Sequence, residues 1–265
     1  MKYSIITVNY NNRDGLKKTI ESVIHQTYRD FEYIVIDGGS TDGSADILKE
    51  YNDQITYWVS EPDGGIYQGM NKGIAKATGE YLNFMNSGDC FYNNDVLKRV
   101  NNYGYEADII TGRDYHYSEE KQKGHASVQP TRLSMITFFT STLDHQSSFI
   151  KRELFNKSFY YENLRLVSDW VFFLEKVVIE DKKVQFVPII VCRREAAGIT
   201  AKQYEKNLQE RDNYLHKLLP CGVYKDYETL AKLDKGVLLK LFKIIDTPPK
   251  RRFLIYFIKI LTKYI

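Results

Sequence analysis

The chain has 265 residues, with 37 Lys and Arg against 34 Asp and Glu and a hydrophobic fraction of 43%. This length can bury a full core, and because no run of about 18 apolar residues occurs, we expect no membrane-spanning helix. The three cysteines lie far apart, which speaks against a disulfide framework or a zinc site. The amino terminus lacks the apolar stretch of a signal peptide, so we expect a cytoplasmic protein.

The net charge of +3 is unevenly distributed. From Lys235 to the end, eight Lys and Arg stand against one acidic residue, whereas the preceding body is mildly acidic. An acidic body speaks against nucleic-acid binding, and a basic tail suits an anionic surface.

The first ninety residues alternate between strand and helix patterns joined by short turns. β-branched and aromatic residues predict strands at 3–9, 31–37, 55–60 and 80–85, with apolar residues at helical spacing between them. This β-α-β-α-β-α-β order is typical of an α/β fold with a mostly parallel sheet flanked by helices. Further strands are predicted at 107–111, 147–150 and 185–191, extending the same sheet.

The tail contains two helical candidates separated by Thr247-Pro248-Pro249. The second is amphipathic, with Arg252, Tyr256, Lys259 and Lys263 on one face and Phe253, Leu254, Phe257, Ile258 and Leu261 on the other. Such a helix can lie in a lipid headgroup layer. The alternative is a helix that caps its own protein or a dimer partner, and the sequence does not separate the two.

Polar and small residues follow three of the predicted strands, at the edge where open α/β sheets bind ligands. No Gly-x-Gly-x-x-Gly follows the first strand and no Gly-Lys-Ser/Thr loop occurs, so the dinucleotide-cofactor and P-loop classes lose their main support. The three segments are Thr7-Val8-Asn9-Tyr10-Asn11-Asn12, Asp37-Gly38-Gly39-Ser40-Thr41-Asp42-Gly43-Ser44 and Asn86-Ser87-Gly88-Asp89.

Two longer stretches make a family resemblance specific. They are Ile34 to Gly43, and Ser60-Glu61-Pro62-Asp63-Gly64-Gly65-Ile66-Tyr67 followed by Met70-Asn71-Lys72-Gly73. In these stretches the chain resembles glycosyltransferase family 2, the large inverting GT-A group, and within it bacterial enzymes of capsule, colanic-acid and O-antigen assembly. Beyond residue 90 the resemblance rests on Asp144-His145-Gln146-Ser147 and Ser168-Asp169-Trp170.

The resemblance implies a nucleotide-sugar donor site in the first half of the chain. Thr7, Tyr10 and Asp37 should line the base pocket, with the Asp37 carboxylate accepting a hydrogen bond from a ring N–H such as that of uracil. The alternative for Asp37 is a turn aspartate that accepts backbone N–H groups. The expected donor-binding residues are Thr7, Asn9, Tyr10, Asn11, Asp37, Gly65, Asn71, Lys72, Asn86, Ser87 and Gly88.

The resemblance also implies a divalent ion, Mg²⁺ or Mn²⁺, bound by an Asp-x-Asp signature after the fourth strand. The sequence departs from that signature, because Asn86 and Gly88 replace the two aspartates and Asp89 is the remaining carboxylate. Asp89 can supply one oxygen to an ion held mainly by phosphates and water. The resemblance therefore predicts metal dependence, but the loss of the two aspartates weakens that prediction.

Inverting transfer needs a base for the acceptor hydroxyl. By the resemblance this is an aspartate at the start of a helix, and Asp169 fits because it precedes an apolar helical segment. A helix-capping aspartate is the structural alternative. His145 and Gln146 are expected on the acceptor side. Arg193 and Arg194 are candidates for closing over the diphosphate, against the alternative of an exposed pair.

We therefore expect a GT-A domain at residues 1–220, with a donor half at 1–100 and an acceptor half at 101–220, and a basic helical tail at 221–265. The expected activity is inverting transfer from a UDP-sugar to a saccharide or polyprenyl-linked acceptor, with the tail touching the inner membrane peripherally. The alternatives are an inactive sugar-nucleotide-binding or scaffold subunit, which the reduced motif at 86–89 favours, and a sugar nucleotidyltransferase.

Overall fold

The computed structural model describes residues 1–104, 106–118, 120–130, 132–156, 159–195, 203–232, 247–252 and 256. The described chain forms two compact units. The first comprises residues 1–129 and 142–214, and the second comprises residues 130–141 and 215–265. The predicted boundary at residue 220 stays a prediction.

The first unit is built on one mixed sheet. Its spatial strand order is β3-β2-β1-β4-β8-β6-β9-β5, and β7 pairs with β6 outside this path. The strands are β1 (Tyr3–Asn9), β2 (Phe31–Asp37), β3 (Tyr57–Ser60), β4 (Tyr81–Phe84), β5 (Cys90–Phe91), β6 (Ile109–Ser118), β7 (Lys123–Ala126), β8 (Ser148–Lys151) and β9 (Val184–Glu195).

The strands β1 to β4 form the parallel half of the sheet, as the sequence predicts. β1 pairs in parallel with β2 and β4, and β2 pairs in parallel with β3. The connecting helices are α1 (Arg13–Ile24), α2 (Ser44–Glu50) and α3 (Ile66–Lys76). Most residues of their predicted apolar faces are buried, including Leu16, Ile20 and Val23 of α1, because these side chains cover a face of the sheet. Ile66, predicted on the apolar face of α3, is exposed in its first turn.

The second half of the sheet departs from the parallel pattern. β8 is antiparallel to both β4 and β6, and β5 is antiparallel to β9. Two strands, β5 and β7, are absent from the sequence prediction. β5 is too short to show a period, and β7 reads Lys-Gly-His-Ala, with no apolar alternation, because its residues are largely exposed.

The remaining helices are α4 (Val96–Asn101), α5 (Met135–Thr140), α6 (Ser168–Leu174), α7 (Tyr204–Leu218) and α8 (Cys221–Ala231). α6 continues into one wider turn at Glu175–Ile179. Within the second unit α5 packs on α8, where the Phe139 ring lies 5.7 Å from that of Tyr224 and 5.4 Å from that of Tyr227.

The predicted amphipathic tail falls mostly outside the described residues, which include Arg252 and Tyr256 of its basic stripe but neither Lys259 nor Lys263. Arg252 and Tyr256 are exposed. Of the helices in the described ranges, none combines the length and the apolar character needed to cross a bilayer.

Candidate active site

The carboxyl ends of the parallel strands present their polar residues at one edge of the sheet. The register pairs Asn9 with Asp37 and Asp37 with Ser60, so the last residues of β1, β2 and β3 lie side by side. This edge, with the loops that follow β1 to β4, is called the carboxyl edge below. It is where open α/β sheets bind ligands.

Asp37 is fully buried at the carboxyl edge and all its acceptor positions are used. Oδ1 accepts hydrogen bonds from Asn9 Nδ2 at 2.7 Å and Ser40 Oγ at 2.5 Å, and Oδ2 accepts from Ser40 N at 3.0 Å and Ser60 Oγ at 2.6 Å. Burial alone would raise the pKa of Asp37, but these hydrogen bonds lower it below its ordinary value. The carboxylate is ionised and ties β1, β2 and β3 together.

The other predicted base-pocket residues differ in accessibility. Thr7 is fully buried, and its hydroxyl donates to the Met85 carbonyl at 2.7 Å, so it faces the sheet. Tyr10 is 68% exposed and leaves its ring free for stacking. Asn11 has a φ of 46° and accepts the Thr41 N–H at 2.9 Å, which fixes the loop after β1.

Helix α3 and the residue before it contribute three of the predicted donor residues. Gly65 precedes it with a φ of 129°, which favours glycine. Asn71 binds the chain itself, donating to the Tyr160 carbonyl and to Glu162 at 2.9 Å each, and Lys72 pairs with Glu61 at 2.7 Å. The structure therefore engages Asn71 and Lys72 with protein groups and brings neither against Asp37 or Asp89.

The segment after β4 meets the chain near β8. The Asn86 amide faces His145 Nε2 at 3.1 Å, and Asp89 Oδ2 accepts from Gln146 Nε2 at 3.1 Å. Gly88 has a φ of 100° and donates its N–H to Thr19 Oγ1, while the Ser87 N–H bonds to the Val8 carbonyl. The predicted donor residue Asn86 and the predicted metal ligand Asp89 are thus joined to the two predicted acceptor residues, His145 and Gln146. Burial raises the pKa of Asp89.

Asp169 lies in the first turn of α6, as predicted, and is held by two side chains from distant parts of the sequence. Tyr67 Oη donates to its Oδ1 and His145 Nδ1 contacts its Oδ2, both at 2.8 Å. Burial would raise the pKa of Asp169, but the hydrogen bond and charge of His145 and the bond from Tyr67 lower it. Burial would lower the pKa of His145, but Asp169 raises it. The two are joined by a hydrogen bond, which becomes an ion pair when His145 is protonated.

A separate cluster of two aspartates and a histidine includes Asp144, the chain neighbour of His145. One ligand atom each from Asp114, His116 and Asp144 lies within 4.8 Å of the others, a donor set that suits a divalent transition metal. Arg194 stands between the carboxylates, with Nε 2.8 Å from Asp114 Oδ2 and Nη2 2.9 Å from Asp144 Oδ1. An ion at this cluster would have to displace Arg194.

Sequence reasoning missed Asp114 and His116 and assigned Arg194 differently. The pairing of β6 with β9 places His116 opposite Arg194, and this register is not visible in either strand alone. Arg193 lies over the Tyr117 ring, 4.2 Å from its centroid, so neither arginine of the predicted pair is free. The alternation Asp114, His116 along β6 was the available signal.

Comparison with known protein families matches residues 4–162 to the family described as Glycosyl transferase family 2. The chain belongs to this family. An uncharacterized glycosyltransferase of Mycobacterium tuberculosis (strain ATCC 25618 / H37Rv) is 31% identical over 237 residues, covering 83% of this chain and 86% of the relative. A PGL/p-HBAD biosynthesis glycosyltransferase of Mycobacterium bovis (strain BCG / Pasteur 1173P2) is also 31% identical, covering 64% and 67%. The family match and these relatives show that the protein is a glycosyltransferase.

Solved structures confirm the GT-A fold. TarS 1–349 of S. aureus in complex with UDP-GlcNAc has a TM-score of 0.59 at 18% identity, covering 74% of this chain and 58% of TarS 1–349. The mannosyltransferase PcManGT from Pyrobaculum calidifontis, in complex with GDP-Man and Mn²⁺, has a TM-score of 0.57 at 15% identity, covering 95% and 82%. At these identities the likeness concerns the fold.

Proposed function

We propose that this family 2 glycosyltransferase transfers a sugar from a UDP-sugar to a saccharide or lipid-linked saccharide with inversion at the anomeric carbon. The observation that carries the proposal is the Asp169 carboxylate, kept ionised by Tyr67 and His145 beside the segment at 86–89. A partly buried carboxylate held in one orientation is suited to accept a proton.

The carboxyl edge supports a donor site. Tyr10 offers an exposed ring to a base, and Asn11 and Asn12 in the loop after β1 are exposed beside it, at the edge where open α/β sheets bind ligands. The two neighbouring structures hold different nucleotides, UDP-GlcNAc and GDP-Man, so the choice of UDP follows from the expectation that a carboxylate reads the uracil N–H.

A divalent ion fits the segment at 86–89 in its donor chemistry. Asp89 supplies a carboxylate, and Asn86 Oδ1 is buried with no hydrogen-bond partner among the described residues. Hard oxygen ligands suit Mg²⁺ or Mn²⁺. Asp89 and Asn86 would hold such an ion together with phosphate oxygens, and the ion would offset the negative charge of the departing diphosphate.

In the proposed reaction, the sugar is transferred in a single displacement step with Asp169 as the base. The acceptor hydroxyl oxygen forms a bond to the anomeric carbon as the bond from that carbon to the diphosphate oxygen breaks on the opposite face. The hydroxyl proton passes to Asp169, and the bonding electrons leave with the nucleoside diphosphate. His145 and Tyr67 hold the Asp169 carboxylate in one orientation and keep it ionised before the step. Gln146, a predicted acceptor-side residue, holds the Asp89 carboxylate by a hydrogen bond.

The first test is thermal unfolding of the purified protein with UDP-, GDP-, dTDP- and CMP-sugars, with and without Mn²⁺. We expect stabilisation by a UDP-sugar that increases with Mn²⁺. Transfer to a saccharide acceptor, followed by NMR of the product, then gives the anomeric configuration. No stabilisation by any donor would refute the donor site, and a retained configuration would refute inversion. Stabilisation without turnover on any acceptor would favour the scaffold alternative.

The basic tail is proposed to hold the enzyme against the cytoplasmic face of the membrane, where lipid-linked acceptors lie. The support is its charge: eight Lys and Arg against one acid from Lys235 onward. A chain truncated after residue 232 should lose sedimentation with vesicles containing anionic lipid, whereas the full chain should sediment with them at low salt. Equal partitioning of the two would refute this contact.

A further inference from the structure

The Asp37 carboxylate has no acceptor position left for the nucleobase of the donor, so another group must recognise the base. Its two oxygens accept four hydrogen bonds from Asn9, Ser40 and Ser60, and a carboxylate has about four acceptor positions. A nucleobase N–H could bind Asp37 only by displacing one of these donors. The group that recognises the base is therefore expected among neighbouring side chains with an unused hydrogen-bond acceptor.

Asp63, in the loop between β3 and α3, has such an acceptor. Its Oδ1 accepts the Gly65 N–H at 3.0 Å, and no hydrogen bond reaches its Oδ2 from the residues that the structure describes. The side chain is partly exposed. Unlike Asp37, it can receive a donor from a ligand without losing an internal bond.

Two glycines bring the Asp63 carboxylate onto the carboxyl edge. A Cβ placed on Gly38, directly after Asp37, would stand 3.1 Å from both Asp63 oxygens, and a Cβ on Gly69 of α3 would stand 3.2 Å from Oδ2. Contacts this short are tighter than most Cβ atoms make, so a side chain at either position would push the carboxylate aside by a few tenths of an ångström. Asp63 therefore occupies the space over the end of β2 that a side chain at position 38 would fill.

The same carboxylate lies beside the end of β1. The Cβ position of Gly69 is 3.2 Å from Val8 Cγ1 as well as from Asp63 Oδ2. Tyr10, two residues beyond Val8, is the 68% exposed aromatic residue of this edge. A ring to stack on and a carboxylate with a free oxygen are the two elements that a pyrimidine pocket needs.

We propose that Asp63, and not Asp37, reads the base of the donor by accepting the uracil N3–H at its Oδ2. The inference rests on the proposed nucleoside-diphosphate donor and deepens it. Cytosine carries an unprotonated N3 at this position, so a carboxylate repels it, and discrimination between UDP and CDP follows from one atom. Asp37 instead positions the loops around the pocket.

The test is isothermal titration of UDP, CDP and 3-methyluridine 5′-diphosphate into the wild type and Asp63→Asn, with Asp53→Asn as the matched control. Asp53 lies in the turn Asn52–Gln54 before β3, at the opposite edge of the sheet. An asparagine at 63 keeps an oxygen for the Gly65 N–H and presents an amide to the base. Thermal unfolding of each variant reports whether it is folded.

We expect the wild type to bind UDP more tightly than CDP or the 3-methyl analogue. Asp63→Asn should lose roughly tenfold to hundredfold in UDP affinity, the usual value of a hydrogen bond to a charged group, and its preference for UDP over CDP should vanish. Asp53→Asn should behave as the wild type.

Several outcomes overturn the inference. Unchanged UDP affinity and preference in folded Asp63→Asn would do so and leave the donor site intact. Equal wild-type affinities for UDP and the 3-methyl analogue would also overturn the inference, even if the variant does not fold. A wild-type preference for CDP over UDP would do the same. Failure of the wild type to bind any nucleoside diphosphate would refute the proposed function itself.

Discussion

The two edges of the parallel sheet both bury carboxylates, and they use them differently. At the amino edge, Glu32 accepts hydrogen bonds from Ser4 Oγ, from the Thr78 hydroxyl and N–H, and from the Gly79 N–H, at 2.5 to 3.1 Å. Each of these donors is neutral and belongs to the fold. Near the carboxyl edge, Asp169 contacts a titratable group, His145, whose pKa it raises.

The difference teaches that burial of a charge does not by itself mark a functional site. Glu32 and Asp37 are both saturated by neutral donors, and both join strand ends. Asp169 and Asp89 are partly exposed and instead contact His145 and Gln146 from another part of the chain. The partner of a buried acid is thus more informative than its burial.

The largest expected effect is on turnover at the carboxyl edge. Asp169→Asn keeps the shape of the side chain and removes the base, so kcat should fall by roughly 10² to 10⁴ while donor affinity is retained. Initial rates of nucleoside diphosphate release and titration of the donor measure the two quantities. Near-wild-type turnover in this variant would remove Asp169 from the proposed role.

The matching substitution at the amino edge should affect stability instead. Glu32→Gln keeps a neutral amide oxygen for the Thr78 and Gly79 N–H groups, loses the negative charge that strengthens these bonds, and places an NH₂ group opposite the Thr78 hydroxyl. The free energy of unfolding should therefore fall by about 1–2 kcal/mol. Urea unfolding measures this change. The kcat of the folded fraction should match the wild type, and a loss of kcat at constant stability would contradict the contrast between the edges.

A smaller effect is expected from the hydroxyl that positions Asp169. Tyr67→Phe removes one of its two side-chain donors, so kcat should fall about tenfold with little change in donor KM. Tyr103→Phe, at an exposed position outside the site, is the control and should leave kcat unchanged. Equal rates for both variants would show that Tyr67 does not position the base.

The smallest effect is a pH dependence at the amino edge. Burial would raise the pKa of Glu32, but the hydrogen bonds from Ser4, Thr78 and Gly79 lower it below the ordinary value of 4.5. The stabilisation it gives is therefore complete above pH 4.5 and is lost as the pH falls through the lowered folded-state pKa. The difference in unfolding free energy between wild type and Glu32→Gln should shrink below pH 4.5. A difference that grows on acidification would contradict the lowered pKa.

The spacing of apolar residues in the sequence predicted much of the first half of the fold. The strands β1 and β2 match at both ends, and the apolar face of α1 is buried as expected, because side chains at a fixed period report directly which face meets the core. Asp169 at the start of α6 and the polar strand ends follow from the same local rules together with the family resemblance. The base-reading and catalytic roles stay predictions.

Tertiary structure decided what distant segments do to each other. No local pattern shows that β8 enters antiparallel between β4 and β6, that Tyr67 reaches Asp169 across 102 residues, or that Arg194 meets Asp114. Nor does the sequence show that Asp37 is saturated while Asp63 keeps a free oxygen over Gly38. Periodicity encodes which face of an element is buried, whereas the partners of a polar atom depend on the register and packing of elements far apart in the chain.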